Sequence, residues 1–580
     1  MKKIKKLALI TLITASFTHS ISYADEDSSP QYKMFLNDQT EYLSISFKID
    51  EKLENFELNK GKFKKLDGML DKDTFSLNSL PFLKKVKRIH GDKTYKEYRK
   101  KYKEFKARGK KLPKLENWYS VPLSADMSHD EILMIYNALV AVPIISHIEL
   151  ETPVISTEYV QCPYTCDDVG PPGGGGSTTP TPNLQSHQGY LTSSPYGIDA
   201  DYAWTKPGGN GAGVKIIDME NGYNSNHEDL PSPFIRVNDN DNDDHGTAVM
   251  SVLGARNNGI GVKGIAYGSQ LGFYGWGSST SGSIRAAADN LSAGDVMVLE
   301  GQINRNINSG DRCDTTNHDE CVPMEWNQAN FDAIRYAYLK GVVVVEAAGN
   351  GNEDLDSSIY NNRFDLNTRD SGAFLVAATV SSSTITRSGF SNHGTRIDFN
   401  AWGDDVAAAG LYGTDLFNEG IDRRYGAGFG GTSSASPIVA GAVASLQGFS
   451  KQSKGATLDV ETIRTILSST GVQEPSGVQV GVRPDLRDAI DELDYGTLAT
   501  PSLSAFWDAC YGSNQMSWNA IPGATSYKIY LNGAYWTSQT STFKSVNVSS
   551  TKSATVQACN SSGCSASSNS VTLRYASACY

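Results

Sequence analysis

Five short runs in the second half of the chain, VKIID from Val214, QLGFYG from Gln270, DVMVLEG from Asp295, GVVVVEAAGN from Gly341 and AFLVAAT from Ala373, constrain its fold more than any other feature. They are apolar at successive positions, where a strand with one wet face would alternate. Such strands are buried on both faces, the pattern of a parallel sheet covered by helices. The stretches between them, SIRAAADNLSAG and NQANFDAIRYAYLKG, have helical periodicity. The fold class is therefore α/β. In open sheets of this kind ligands gather at the carboxyl ends of the strands, and several of these runs end there in a polar residue or glycine.

The α/β block does not account for 580 residues, and length alone argues for several domains. Before it, SHDEILMIYNALVAVP carries a capping box in Ser128 and Glu131 and an apolar stripe, with β-like SVPL and IISHIELE on either side. Residues 25–158 thus form a small α+β unit. A stretch with nothing to bury, DDVGPPGGGGSTTPTP from Asp167 to Pro182, follows as a flexible linker spanning 159–185. The α/β block occupies 186–492. From 498 to 580 the pattern changes again: MSWNAIPGATSYKIYLNGAYW alternates, with an Asn532–Gly533 turn, as strands of a β-sandwich do.

Charge separates these parts. Residues 25–160 carry a net +1, with 15 basic and 3 acidic residues packed into 84–114, whereas residues 161–580 carry −17. A basic run can serve nucleic acid or an anionic membrane, but the acidic remainder of the same chain is an available partner. At the N-terminus, Lys2, Lys3, Lys5 and Lys6 precede LALITLITASF and the small-residue exit Ser22 to Ala24, the pattern of a cleaved secretory signal (residues 1–24). Its apolar run is too short for a span, and no later segment is long and apolar enough to cross a bilayer. The expectation is a secreted, extracellular protein. In an oxidising compartment the eight cysteines read as disulfides: Cys162–Cys166, Cys313–Cys321, Cys559–Cys564 and Cys510–Cys579. A zinc site would need histidines at ligand spacing, and only His318 comes near one.

The segment GFGGTSSASPIVAGAVASL from Gly428 holds three serines among small apolar residues. A serine hydroxyl needs a base, a carboxylate to orient the base, and donors for the oxyanion before it acts as a nucleophile. Asp218 ends VKIID, His245 opens HGTAVMSVLG, Asn350 ends VVVVEAAGN, and Ser433 follows Gly430, Gly431 and Thr432. Each stands at a strand or helix end.

At these residues the chain resembles the subtilisin-like serine proteases, the subtilases, over residues 186–492. IIDMENGYNSNHEDL, HGTAVMSVLGARNN and GTSSASPIVAG stand in the family's order, and AAGN supplies its oxyanion asparagine. The resemblance implies that Asp218 orients the imidazole, His245 is general base and acid, Ser433 attacks the peptide carbonyl, and Asn350 donates to the oxyanion beside the Ser433 N–H. It selects Ser433 because the family's nucleophile follows Gly-Thr directly, leaving Ser434 and Ser436 to packing. It also implies peptide or protein substrates, no cofactor for the chemistry, and an N-terminal prodomain that assists folding, inhibits its own enzyme and is removed by cleavage between about Tyr159 and Pro182. The C-terminal block resembles a fibronectin type III module, with Trp518 and Tyr527 at core positions and Trp507 and Trp536 more often core than a binding face. Neither nucleic acid nor a membrane span is expected.

Three departures stand out. His393 heads a second HGT, but 175 residues after Asp218 and ahead of a polar, strand-like stretch; it reads as structural. Where the family has a small residue or glycine soon after its aspartate, this chain has Met219 and Glu220. Where the cleft strand usually reads SLGG, it has Glu300, which on the specificity pocket would favour a basic side chain before the cut, the alternative being that it points away from the cleft or caps a loop. Finally, NDNDNDD and NEDLDSS make Asp241, Asp243, Asp354 and Asp356 candidates for a structural calcium ion, with solvated acidic loops as the alternative. Two rival functions remain: a binding protein on an inactive protease fold, which would have no use for the four residues together, and an esterase, which would want a G-x-S-x-G elbow.

Overall fold

The computed structural model describes residues 44–49, 56–59, 62–65, 86–89, most of 113–155, 179–240, 243–305, 313, 318–495, 498–508, 513–521, 523–560 and 563–575. The signal segment, most of the basic run, Asp241 and the Cys162–Cys166 and Cys510–Cys579 pairs lie outside them. The other two predicted disulfides are formed, Cys313–Cys321 and Cys559–Cys564.

The N-terminal unit is a four-stranded antiparallel sheet. Its strands β1 (Ser44–Ile49), β2 (Lys87–Arg88), β3 (Trp118–Pro122) and β4 (Ile145–Glu151) lie in the order β2-β3-β1-β4. Helix α1 (His129–Val140) starts at the capping box read from the sequence, with Ser128 and Glu131 each satisfying the other's backbone N–H. It buries Ile132 and Leu139 against Ile45, Phe47 and Val121.

The central sheet has nine strands: β5 (Lys215–Met219), β6 (Arg236–Val237), β7 (Gln270–Tyr274), β8 (Val296–Leu299), β11 (Val343–Ala347), β12 (Phe374–Thr379), β13 (Phe399–Trp402), β14 (Val472–Gln473) and β15 (Val482–Arg483). A separate antiparallel ribbon pairs β9 (Gln302–Asn304) with β10 (Cys321–Pro323). The nine lie in the order β14-β15-β13-β12-β11-β8-β5-β7-β6, and every neighbouring pair is parallel except β14 with β15. All five apolar runs are strands here, as their unbroken burial demands. Ile216, Val298 and Val345 face one layer, with helices α2 (Asp244–Gly254) and α5 (Thr432–Phe449). Ile217, Met219, Leu299 and Val344 face the other, with α3 (Thr280–Asp289) and α4 (Gln328–Leu339). Every residue of α5 is buried, which explains why its sequence is Ala, Gly, Ser and aliphatic residues throughout.

Beyond helices α6 (Val460–Thr470) and α7 (Leu486–Tyr495), two antiparallel sheets share a core of Leu503, Met516, Trp518, Tyr527, Ile529 and Val556. The Trp518 and Tyr527 rings meet edge to face, with centroids 5.6 Å apart. Trp507 is only half-buried and Trp536 is 41% exposed, so the expectation that both are core is corrected. The linker also ends earlier than expected: Asn183 bridges Gly261, and Arg423 binds Thr181, so its last residues are fixed to the central domain.

Candidate active site

Strand periodicity places the acidic groups of the site. Asp218 follows Ile216 on the face toward α2 and α5, and Glu220, two positions on, continues along that face about 6.6 Å nearer the strand's carboxyl end. His245 sits in the first turn of α2, where the Asp243 carboxylate accepts its N–H at 2.8 Å. Gly246 lets that turn approach: a Cβ there would lie 2.1 Å from the Gly222 carbonyl and 2.8 Å from Glu220 Cγ. The approach delivers the imidazole to Glu220, with His245 Nδ1 hydrogen-bonded to Glu220 Oε2 and both side chains buried. The Phe429 ring stands edge-on to the imidazole, with centroids 5.5 Å apart.

Asp218 is not the carboxylate on the imidazole. It is fully buried and neither of its oxygens has a hydrogen-bond partner among the described residues; it sits one strand repeat deeper than Glu220. Burial drives its carboxyl well above the usual range, and the neighbouring Glu220 and Glu300 push it further. Burial also raises Glu220, with His245 acting in the opposite sense.

Ser433 is the second residue of α5, after Gly431 at φ 82°, a conformation that favours glycine. The turn places Thr432 against Asn350. Asn350 Oδ1 accepts from both Thr432 N and Thr432 Oγ1 at 3.0 Å, so oxygen faces Thr432 and the Nδ2 end is turned away from it. Gln302 Oε1 accepts the Asn350 N–H at 2.8 Å, and Gly349 donates to Thr432 Oγ1.

Glu300 does not line a pocket. It has no exposed surface, and its Oε1 lies 2.6 Å from Ser436 Oγ inside α5, which corrects its assignment to the substrate cleft. Its carboxyl also interacts with Ser433 and feels His245 and Glu220, so one cluster contains all four groups. Burial is the main reason its titration is pushed up to about 8.

The described calcium candidates each make hydrogen bonds. Asp243 caps α2, Asp354 accepts from Asp356 N, and Asp356 binds the N–H and hydroxyl of Thr395. Among the described residues no three His, Cys, Asp or Glu side chains converge to hold a metal. His393 exchanges backbone bonds with Glu353 and Leu355 in a loop.

The N-terminal unit reaches the same edge. Glu149 accepts the N–H groups of Gln328 and Ala329, the first two residues of α4, at 2.9 and 2.8 Å. Lys48 and Trp118 both bind Asp332, each at 2.9 Å. Beyond β4, Ile155 pairs with Gln302 as an added antiparallel residue, in bonds of 3.0 and 2.9 Å. The chain leaving this unit therefore lies along β9, next to Gln302 and so one residue's contact from Asn350.

The profile described as "Subtilase family" matches residues 151–496, more than half of the chain. The chain belongs to the subtilase family. This subtilase is 30% identical over 308 residues to the "Thermophilic serine proteinase" of Bacillus sp. (strain AK1), a match covering 50% of this chain and 66% of that protein. It is 29% identical over 247 residues to the "Extracellular protease" of Xanthomonas campestris pv. campestris, covering 41% and 37%. These matches thus span just under two thirds of the first relative's length and about a third of the second's. Among solved structures, fervidolysin from Fervidobacterium pennivorans superposes with a TM-score of 0.48 at 16% identity, covering 92% of this chain and 75% of that one.

Sequence reasoning noted Glu220 only as a departure from the family pattern. The signal that would have found it was the glycine expected soon after the carboxylate: Gly222 stands two residues after Glu220 and four after Asp218. Nothing in the sequence pointed to Thr432 as the group that locks Asn350.

Proposed function

We propose that this subtilase is a secreted serine endopeptidase that cleaves peptide bonds in protein or peptide substrates through an acyl-enzyme. Ser433 is the nucleophile, His245 the general base and acid, and Glu220 the carboxylate that orients and stabilises the imidazolium. Asn350 Nδ2 and the Ser433 N–H receive the oxyanion. The observation that carries this reading is the buried Glu220–His245 Nδ1 bond. It fixes the tautomer with the proton on Nδ1, so Nε2 is the basic nitrogen, as the chemistry of a serine nucleophile requires. Asn350 is held by Thr432 before any substrate arrives, and a donor oriented in advance needs no reorganisation as oxyanion charge develops. No metal takes part in these steps.

Residues 25–158 act as a prodomain. The Glu149 cap on α4 and the Ile155–Gln302 pairing support this, because a segment hydrogen-bonded along β9 takes the place a substrate strand would use. Cleavage between about 159 and 182 frees the cleft. The C-terminal sandwich is read as fibronectin type III-like.

Full-length wild type expressed beside Ser433→Ala tests this directly. Wild type should shed residues up to the linker while the variant stays full length and hydrolyses no peptide substrate. Identical processing of the two, with peptidase activity retained in the variant, would remove Ser433 from the mechanism.

A further inference from the structure

Three carboxyl groups, Asp218, Glu220 and Glu300, are buried on adjoining strand ends behind one histidine. Their surroundings are unequal. Glu220 has His245. Glu300 is linked through the Ser436 hydroxyl to the turn that carries the nucleophile: Glu300 Oε1 lies 2.6 Å from Ser436 Oγ, and Ser436 Oγ lies 2.8 Å from the Thr432 carbonyl. Ser436 has one hydroxyl proton. A carbonyl oxygen can only accept, so the contact with Thr432 uses that proton, and the contact with Glu300 needs another. Only the carboxyl can supply it.

We propose that Glu300 is a positioning residue held as a neutral carboxylic acid, whose O–H donates to Ser436 while Ser436 donates to Thr432. The relay continues from Thr432 to Asn350 Oδ1, so it ties the buried acid to both the Ser433 turn and the oxyanion amide. The charged and titratable groups around Glu300 agree with this state. Asp218 and Glu220 from β5 and its extension are acidic, with Asp243 from the start of α2 acting on both of them; His245, the one base among the described residues there, is already bound by Glu220; α5 contributes Ser433 and Ser436. Among the described residues no Lys or Arg faces Glu300 to stabilise a second carboxylate there.

When Glu300 loses its proton, the Ser436 hydroxyl must turn to the new carboxylate and release the Thr432 carbonyl. A negative charge then lies beside Ser433, where the oxyanion has to form, and opposes it. Burial sets this change at about 8. The consequence is an alkaline limb in kcat/KM that belongs to Glu300.

The test has two arms. The kinetic arm rests on Ser433 being the nucleophile and compares, within each protein, kcat/KM on a peptide substrate at pH 10 with that at pH 7. Glutamine keeps an N–H donor for Ser436 and cannot ionise, so the ratio should be about tenfold higher in Glu300→Gln than in wild type. Equal ratios would overturn the proposal. The second arm does not depend on the reaction: infrared difference spectra of the inactive Ser433→Ala full chain between pH 6 and pH 10. A protonated-carboxyl carbonyl band should disappear on the alkaline side, be absent from the Ser433→Ala/Glu300→Gln chain, and move to higher frequency when Ser436→Ala removes its acceptor. A band untouched by both substitutions, or no band at pH 6, would show Glu300 ionised and sink the idea whatever the kinetics.

Discussion

Two clusters of buried carboxyls in the same α/β domain have opposite fates. Behind β11 and β12, Glu325 is fully buried, yet Arg396 grips it with two bonds of 2.8 Å and extends a third to Asp398. Burial alone would raise Glu325; Arg396 more than offsets it and holds the group below its ordinary value. At the active-site edge Asp218, Glu220 and Glu300 are as deeply buried and have a single histidine between them. All three are raised. Burial is common to both clusters, so the presence of a cation decides which carboxyl ionises. In the first cluster Arg396 matches Glu325 and Asp398 directly, while Glu346 beside them accepts the Glu325 N–H instead and is raised by burial and by Glu325. The second is poised for chemistry because one of its carboxyls is bonded to a histidine, a group that can take up and give back a proton.

The largest effect expected from breaking this contrast is on turnover. Glu220→Ala should lower kcat by about 10⁴, the size of loss seen when a triad carboxylate no longer fixes the imidazole tautomer. Asp218→Asn should stay within about threefold of wild type, since among the described residues nothing donates to the Asp218 carboxyl and burial already disfavours its charged form. Steady-state kinetics on one peptide substrate reads both, and the reverse ranking would return the role to Asp218.

Next comes the structural cluster. Arg396→Met should cost about 3–5 kcal/mol in urea unfolding, because it leaves Glu325 buried without its partner. A smaller effect is expected at the N-terminal docking surface. Burial raises Glu151 to about 7, with Ser44 donating to it at 2.7 Å, while the neighbouring Glu149, paired with His147, is held low. Its folded value lies above that of the free chain, so its acid form stabilises: the contribution is complete below the ordinary carboxylate range and fades as pH rises through about 7. The full Ser433→Ala chain should therefore be less stable to urea at pH 8 than at pH 5.5, and Glu151→Gln should flatten that difference.

Much of this architecture was readable from residue order. The successive apolar runs gave the parallel sheet, Ser128 and Glu131 gave the start of α1, and Cys313–Cys321 and Cys559–Cys564 formed as paired. Ser433, His245 and Asn350, singled out by motif, lie near one another around Glu300 and Thr432. The orienting carboxylate was misread for a physical reason. Asp218 and Glu220 share a face by strand periodicity, and motif matching cannot tell which of two same-face acids reaches a histidine when the difference is one strand repeat. Glu300 is a similar case: a carboxylate on a cleft strand fits either a specificity pocket or a side chain turned away from it, and only the folded chain shows it running into α5 toward Ser436. Trp536 failed because alternation identifies faces but not which of them is covered.

The central claim, that Glu220 holds the catalytic imidazole, is tested most directly by proton NMR of His245 in the Ser433→Ala chain, with ¹⁵N-labelled histidine. The account predicts a strongly downfield Nδ1 proton that persists in Asp218→Asn and vanishes in Glu220→Gln. A resonance that survives loss of the Glu220 carboxylate and disappears with that of Asp218 would contradict it.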